Sequence, residues 1–216
     1  MKPAAVTNSK VFRIVSLALL FAGFTVAQLS CGGHKSAEGM GQGAGSPQDL
    51  CNCVDTEPDS ADYRTQAKHV DLPQIAAADI TVATILNWSV PPEPAFDAPR
   101  QGREFQMFHI GNGFLQFAWL RQGDCDLHLE ISDSPDKNAP RIIVETPHMD
   151  SFCSARRQLS QQLASTGFIL STNSGELPAA LAVDVVGLAF EDSNHPRGTV
   201  HVASVWELHP AIVTLK

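Results

Sequence analysis

Apolar and polar residues alternate strictly over 124–132, with Cys125, Leu127, Leu129 and Ile131 on one face and Asp124, Asp126, His128 and Glu130 on the other. A period of two is the spacing of a strand whose one face meets a core and whose other face meets water, so this stretch predicts a half-buried strand. Residues 104–120, just before it, are rich in Phe, Ile and Leu and too long for one regular strand, which places a bulge or turn at Gly111-Asn112-Gly113. A third strand is predicted at 141–146, ended by Pro147. Over 152–166 the period changes to a helical one, with Arg156 and Arg157 assigned to the solvent face and Gly167 placed to end the helix. Further strands follow at 179–190 and 200–215, the last interrupted near Pro210.

The order is therefore β, β, β, α, β, β with a long, bent first strand. That is the order of the OB-fold, a five-stranded Greek-key barrel, and the fold class expected is a mostly β chain with one main helix. A shorter helix is predicted ahead of the barrel, capped by Asp79, running to Asn87 and packing its apolar side on the barrel before Pro91, Pro92 and Pro94 force an extended exit.

The amino terminus has a different pattern. Lys2, Lys10 and Arg13 precede an uncharged stretch over 14–27 that is short for a membrane span and suited to a secretory leader. Residues 1–30 are read as a signal peptide. Thr25 and Ala27 would suit ordinary signal peptidase, whereas Cys31 followed by Gly32 and Gly33 resembles a lipid-attachment site, although Gln28 stands where the bacterial lipobox has Leu. The lipoprotein route is the preferred one. Residues 31–50 then form a Gly, Ser and Ala-rich tether, 51–98 a linker containing the short helix, and 99–216 the barrel domain. The expected location is the cell envelope, at the outer membrane or surface through a lipid anchor, or else the periplasm or medium.

The chain carries a formal charge of -8, and from Asp97 onward 9 Lys+Arg stand against 14 Asp+Glu, which leaves -5. That balance argues against general nucleic-acid binding, which depends on basic side chains neutralising phosphates. With Cys31 acylated, Cys51, Cys53, Cys125 and Cys153 remain, an even number in an oxidising compartment. Up to two disulfides, among three possible pairings, are expected in preference to metal binding by the Cys51-Asn52-Cys53 element.

Two short patterns place chemistry on strands: Asp126-Leu127-His128 and Glu207-Leu208-His209 each set a carboxylate and an imidazole on one strand face. Glu145 ends the third strand, which in an OB barrel lies between the second and the fifth. Asp126, His128, Glu145, Glu207 and His209 could thus converge into one patch with the donor types for a divalent metal or a small polar ligand, or for acid–base catalysis. Asp192, His195, Arg197 and Gly198 form a second constellation in the loop before the last strand, with Arg197 suited to an anion and His195 to proton transfer. His34 and His69 fall in the tether and linker and are given no role. Phosphate loops, HExxH, GxSxG and paired CxxC motifs are absent from the sequence.

Residues 103–215 resemble a group of uncharacterised exported bacterial proteins. The resemblance rests on Asp124-Cys125-Asp126-Leu127-His128-Leu129, Glu145-Thr146-Pro147, Gly187 with Phe190, Asp192 with His195, and Glu207-Leu208-His209-Pro210. It implies the fold and the patch without implying a reaction. The group's usual turn after the Asp is replaced here by His195-Pro196-Arg197-Gly198. A fainter resemblance, to thermonuclease-like OB barrels, rests on Gly123-Asp124, Glu145-Thr146-Pro147 and Arg197. It implies a metal-assisted phosphodiester hydrolase using Asp124, Glu145 and Arg197, yet His148 stands where that family has its Glu. A binding domain without assigned catalysis is the first expectation, that hydrolase the second, and a structural or protein-interaction module with a protein partner the third.

Overall fold

The computed structural model describes residues 50–53, 62–194 and 198–216. The proposed leader, Cys31, most of the tether, and His195 and Arg197 lie outside the described residues. The strands are β1 (Met107–Leu120), β2 (Leu127–Ser132), β3 (Ile142–Thr146), β4 (Glu176–Glu191) and β5 (Trp206–Leu215). The helices are α1 (Thr65–Lys68), α2 (Val82–Leu86) and α3 (Cys153–Ser165).

The strands run in the order β1, β2, β3, β5, β4, and β4 pairs back onto β1, so the sheet closes into a five-stranded OB-like barrel. All pairings are antiparallel except β3 with β5. One two-residue strand, Ala78–Asp79, adds in parallel at the start of β1. Closure depends on β1 serving two neighbours, β2 and β4, and it does so by bending. Its register slips between Ile110 and Gly113 and again between Leu115 and Phe117. The first slip is the expected bulge. Gly113 is needed there because a Cβ would lie 2.9 Å from Ile131 and 3.2 Å from Val183 across the barrel.

The alternating apolar residues point inward. Leu127, Leu129 and Ile131 of β2 meet Ile142 and Val144 of β3, Leu208 and Val213 of β5, and Val183 and Val185 of β4, all buried. Each fully buried aliphatic side chain contributes roughly 1.5–3 kcal/mol relative to exposure. Val82 and Ile85 of α2 and Leu159 and Leu163 of α3 join the same core.

Several sequence expectations are corrected. Asp79 does not cap α2; it pairs with His109 at 2.7 Å, while the Thr81 side chain accepts from Thr84 N–H and the Asp133 carboxylate accepts from Val82 and Ala83 N–H. Arg156 is buried on the inner side of α3, where its guanidinium donates to the carbonyls of Leu50, Thr146 and Cys125 at 2.9, 2.7 and 2.7 Å; Arg157 is exposed. Helical spacing alone could not show that three unpaired carbonyls await a cation on that side. The expected end of α3 is found, with Gly167 at φ 87° donating to Ala164 O at 3.0 Å. The last strand begins at Trp206, and the expected interruption near Pro210 is found as a shift in its register with β4 between the Gly187–Ala211 and Ala189–Leu208 pairs; the His209-Pro210 peptide is cis.

The cysteines form Cys51–Cys153 and Cys53–Cys125. This rules out metal binding by the Cys51-Asn52-Cys53 element, since both thiols are used. It also ties the residues before the barrel to the start of α3 and to the loop entering β2.

Candidate functional site

Barrel alternation sends His128 and Glu130 of β2, Glu145 of β3, and Glu207 and His209 of β5 away from the core. The expectation of a half-buried β2 fails here, because the second face is covered too: every residue of β2 is buried. The cover is nonlocal. Gly198 and Thr199 lie against His128 and Glu130 of β2, while residues 62–69 bring His69 to Asp126, Lys68 to Asp192 and Arg64 to Glu104 and the Glu191 carbonyl.

Beneath them the five residues of the patch meet. Pairing sets His128 directly opposite Glu145, and His128 Nδ1 lies 2.9 Å from Glu145 Oε1. Glu145 Oε2 lies 3.0 Å from His209 Nδ1, and Glu207 Oε1 lies 3.4 Å from the same nitrogen. His209 Nε2 lies 3.2 Å from Asp126 Oδ2. A continuous chain of alternating carboxylates and imidazoles thus runs His128, Glu145, His209, Asp126. Asp126 and His209 are completely buried, and Glu145, Glu207 and His128 nearly so.

Two residues given no role by the sequence complete the ring. His69, next after α1, places Nε2 3.2 Å from Asp126 Oδ2. The backbone N–H of His148 donates to Asp126 Oδ1 at 3.0 Å, and its ring Nδ1 stands 3.6 Å from the same oxygen. The His69 ring centre is 5.4 Å from that of His148 and 5.9 Å from that of His209. The sequence carried one usable signal for His69: a disulfide from Cys53 to Cys125 would set this segment beside Asp126, but only once the pairing is known.

Among the described residues, neither ring nitrogen of His209 makes a regularly aligned hydrogen bond, and neither does His128 Nε2. Burying such groups without partners costs free energy. Electrostatics partly offset this. Burial would lower the His209 pKa, but Asp126, Glu145 and Glu207 hold it well above the usual imidazole range. Burial would raise Asp126 and Glu145, but the surrounding imidazoles hold both well below the carboxylate range. Two triads of donors lie close enough to hold a metal ion: His69, Asp126 and His209, and Glu145, Glu207 and His209.

Of the second constellation only Asp192 and Gly198 are described, His195 and Arg197 lying outside the described residues. Asp192 lies 3.9 Å from Lys68, which also contacts Asp62 at 3.2 Å, and Gly198 packs against Glu130 and His128. Asp124 is buried and engaged locally, its carboxylate accepting from Arg121 at 2.6 Å and from Asp126 N–H at 3.0 Å. No family model, curated protein or solved structure matches the chain.

A pH prediction follows for the metal-free protein. Asp124 is pushed up to about 6 by burial and by the Glu145 and Asp126 carboxylates. For His128, burial acts to lower the pKa, but hydrogen bonds to Glu130 and Glu145 prevail and raise it to about 9. Ionised Asp124 disfavours the fold, so stability declines as pH rises from its unfolded value through about 6. Protonated His128 favours the fold, so its contribution is present below its unfolded value and is lost as pH rises through about 9. Urea melts in chelator are expected to lose on the order of 3 kcal/mol between mildly acidic and alkaline buffer. A flat profile would contradict this.

Proposed function

We propose that this chain is an exported, lipid-anchored envelope protein whose OB-like domain binds a divalent metal ion within the Asp126, His128, Glu145, Glu207 and His209 cluster. One observation carries the metal reading. The imidazole of His209 is wholly buried, lacks a regular hydrogen bond at either nitrogen, and has carboxylate oxygens at 3.0, 3.2 and 3.4 Å. An ion between such groups satisfies lone pairs that the protein leaves unaligned.

Burial supports an ion over anything larger. OB barrels bind oligomers on the open face of their second and third strands, and here His128 and Glu130 of that face are packed under Gly198 and Thr199. Export is supported by the leader-like sequence and by two disulfides. Phosphodiester hydrolysis has less to stand on, because Asp124 and Glu145 are both buried and engaged with protein groups.

Metal analysis of the purified protein is expected to find about one equivalent of a divalent ion. Restoring the ion after chelation, at a hundredfold excess over Kd, is expected to stabilise the fold by about 2.7 kcal/mol. The His128→Ala, His209→Ala double variant is expected to lose both effects. Absence of metal from the wild type, with melting indifferent to zinc, manganese, calcium and magnesium, would refute the reading.

A further inference from the structure

We infer that the ion is a transition-metal cation ligated by His69, Asp126 and His209, with Glu145 acting as a positioning residue. This rests on the metal reading above and goes further by choosing between the two donor triads and by bringing in a ligand from outside the barrel.

The choice follows from the chemistry of one imidazole. The triads share His209, whose Nε2 faces Asp126 at 3.2 Å and whose Nδ1 faces Glu145 at 3.0 Å. A neutral imidazole has one lone pair and one N–H, so the two triads are alternatives. When Nε2 takes the ion, Nδ1–H is left facing Glu145 Oε2 at 3.0 Å, and the other oxygen of Glu145 already holds His128 Nδ1 at 2.9 Å. A carboxylate behind a ligating imidazole fixes its tautomer and orientation. The alternative triad puts two carboxylates and one imidazole on the ion and leaves His69 outside it.

Asp126 is already oriented for the first arrangement. The His148 N–H occupies Oδ1 at 3.0 Å, which leaves Oδ2 facing the Nε2 atoms of His69 and His209, each at 3.2 Å. Bonds of about 2.0–2.1 Å at tetrahedral angles would set donor atoms ~3.3 Å apart. Two nitrogens and one carboxylate oxygen suit zinc or a neighbouring transition metal better than calcium or magnesium, which take oxygen shells. Access agrees with the choice: the side chains of His69 and His148 are 14% and 29% exposed, while that of His209 is at 0%. The ion enters from the His69 side.

His69 is held in place before any ion arrives. Its neighbour Lys68 bonds Asp62 at 3.2 Å, and Arg64 chelates Glu104 at 2.7 and 2.8 Å.

The test is zinc affinity by competition with a chelating dye, together with copper electron paramagnetic resonance, on wild type, His69→Ala, Glu145→Gln and Glu207→Gln. Wild type is expected to show nitrogen splitting from two imidazoles. His69→Ala is expected to bind at least a hundredfold more weakly, with one nitrogen remaining, and to lose more than Glu207→Gln does. Glu145→Gln is expected to weaken binding 10- to 100-fold while both nitrogens stay, the mark of a residue acting through its neighbour. If His69→Ala binds zinc like wild type, or Glu207→Gln loses more, the inference is overturned and the metal reading survives. If wild type binds no ion, the metal reading itself falls.

Discussion

Opening either disulfide, by Cys→Ser replacement or reductant, is expected to lower the unfolding free energy by roughly 4 kcal/mol. The bridges close loops of 102 and 72 residues. Loops of that size lie at the upper end of the entropic stabilisation a cross-link provides, about 4–5 kcal/mol when strain is absent. The loops overlap, so the two losses are not expected to add. The effect extends beyond stability, because Cys53–Cys125 fixes the chain next to Asp126 and Arg156 holds Leu50 O at 2.9 Å. Freed of the bridges, residues 62–69 are expected to detach more readily and take His69 with them. Urea unfolding with and without reductant measures this, and an unchanged midpoint would contradict it.

Arg64→Ala is expected to cost 3–5 kcal/mol, the range for removing one partner of a buried ion pair. Arg64 is 2% exposed, and its guanidinium makes five hydrogen bonds: to Glu104 at 2.8 and 2.7 Å and to the carbonyls of Ala98, Pro99 and Glu191, each at 2.9 Å. Removal strands Glu104, which is also buried and accepts from Gln101 N–H at 2.8 Å and Glu191 N–H at 2.9 Å. Arg64→Lys is expected to recover little, since an ammonium cannot span both carboxylate oxygens and three carbonyls at once. The charge also sits over Phe190, with the guanidinium carbon 4.8 Å from the ring centre. Chemical denaturation of the variants checks this; a loss under 1 kcal/mol would show the pair to be expendable.

The barrel was legible because each strand wrote its inner face in alternation, as Leu127, Leu129 and Ile131 did, and because the position of the one long helix selects few topologies. The meeting of Asp126, His128, Glu145, Glu207 and His209 followed from the barrel's strand order, once β3 was set between β2 and β5. Burial of that outer face was not legible. It arises from Gly198 and Thr199, distant in sequence, which lie against His128 and Glu130, and from His69, which reaches Asp126 beside a disulfide whose pairing no spacing rule determines. His69 was unreadable for the same reason. Arg156 misled because a helix facing the core can still bury a cation where carbonyls from three separate segments converge. Asp79 misled because Asp133, distant in sequence, supplies the carboxylate to α2 while Asp79 is drawn to His109.

Calorimetric titration of zinc into the chelator-treated protein, beside Asp126→Asn, tests the central claim most directly. The amide keeps the shape of the carboxylate and can still accept from the His148 N–H, but it removes the charge at the oxygen that both imidazoles face. One equivalent of zinc bound by the wild type, and binding weakened at least a hundredfold in Asp126→Asn, is the predicted result. Equal binding by the two proteins, or no binding by either, would contradict it.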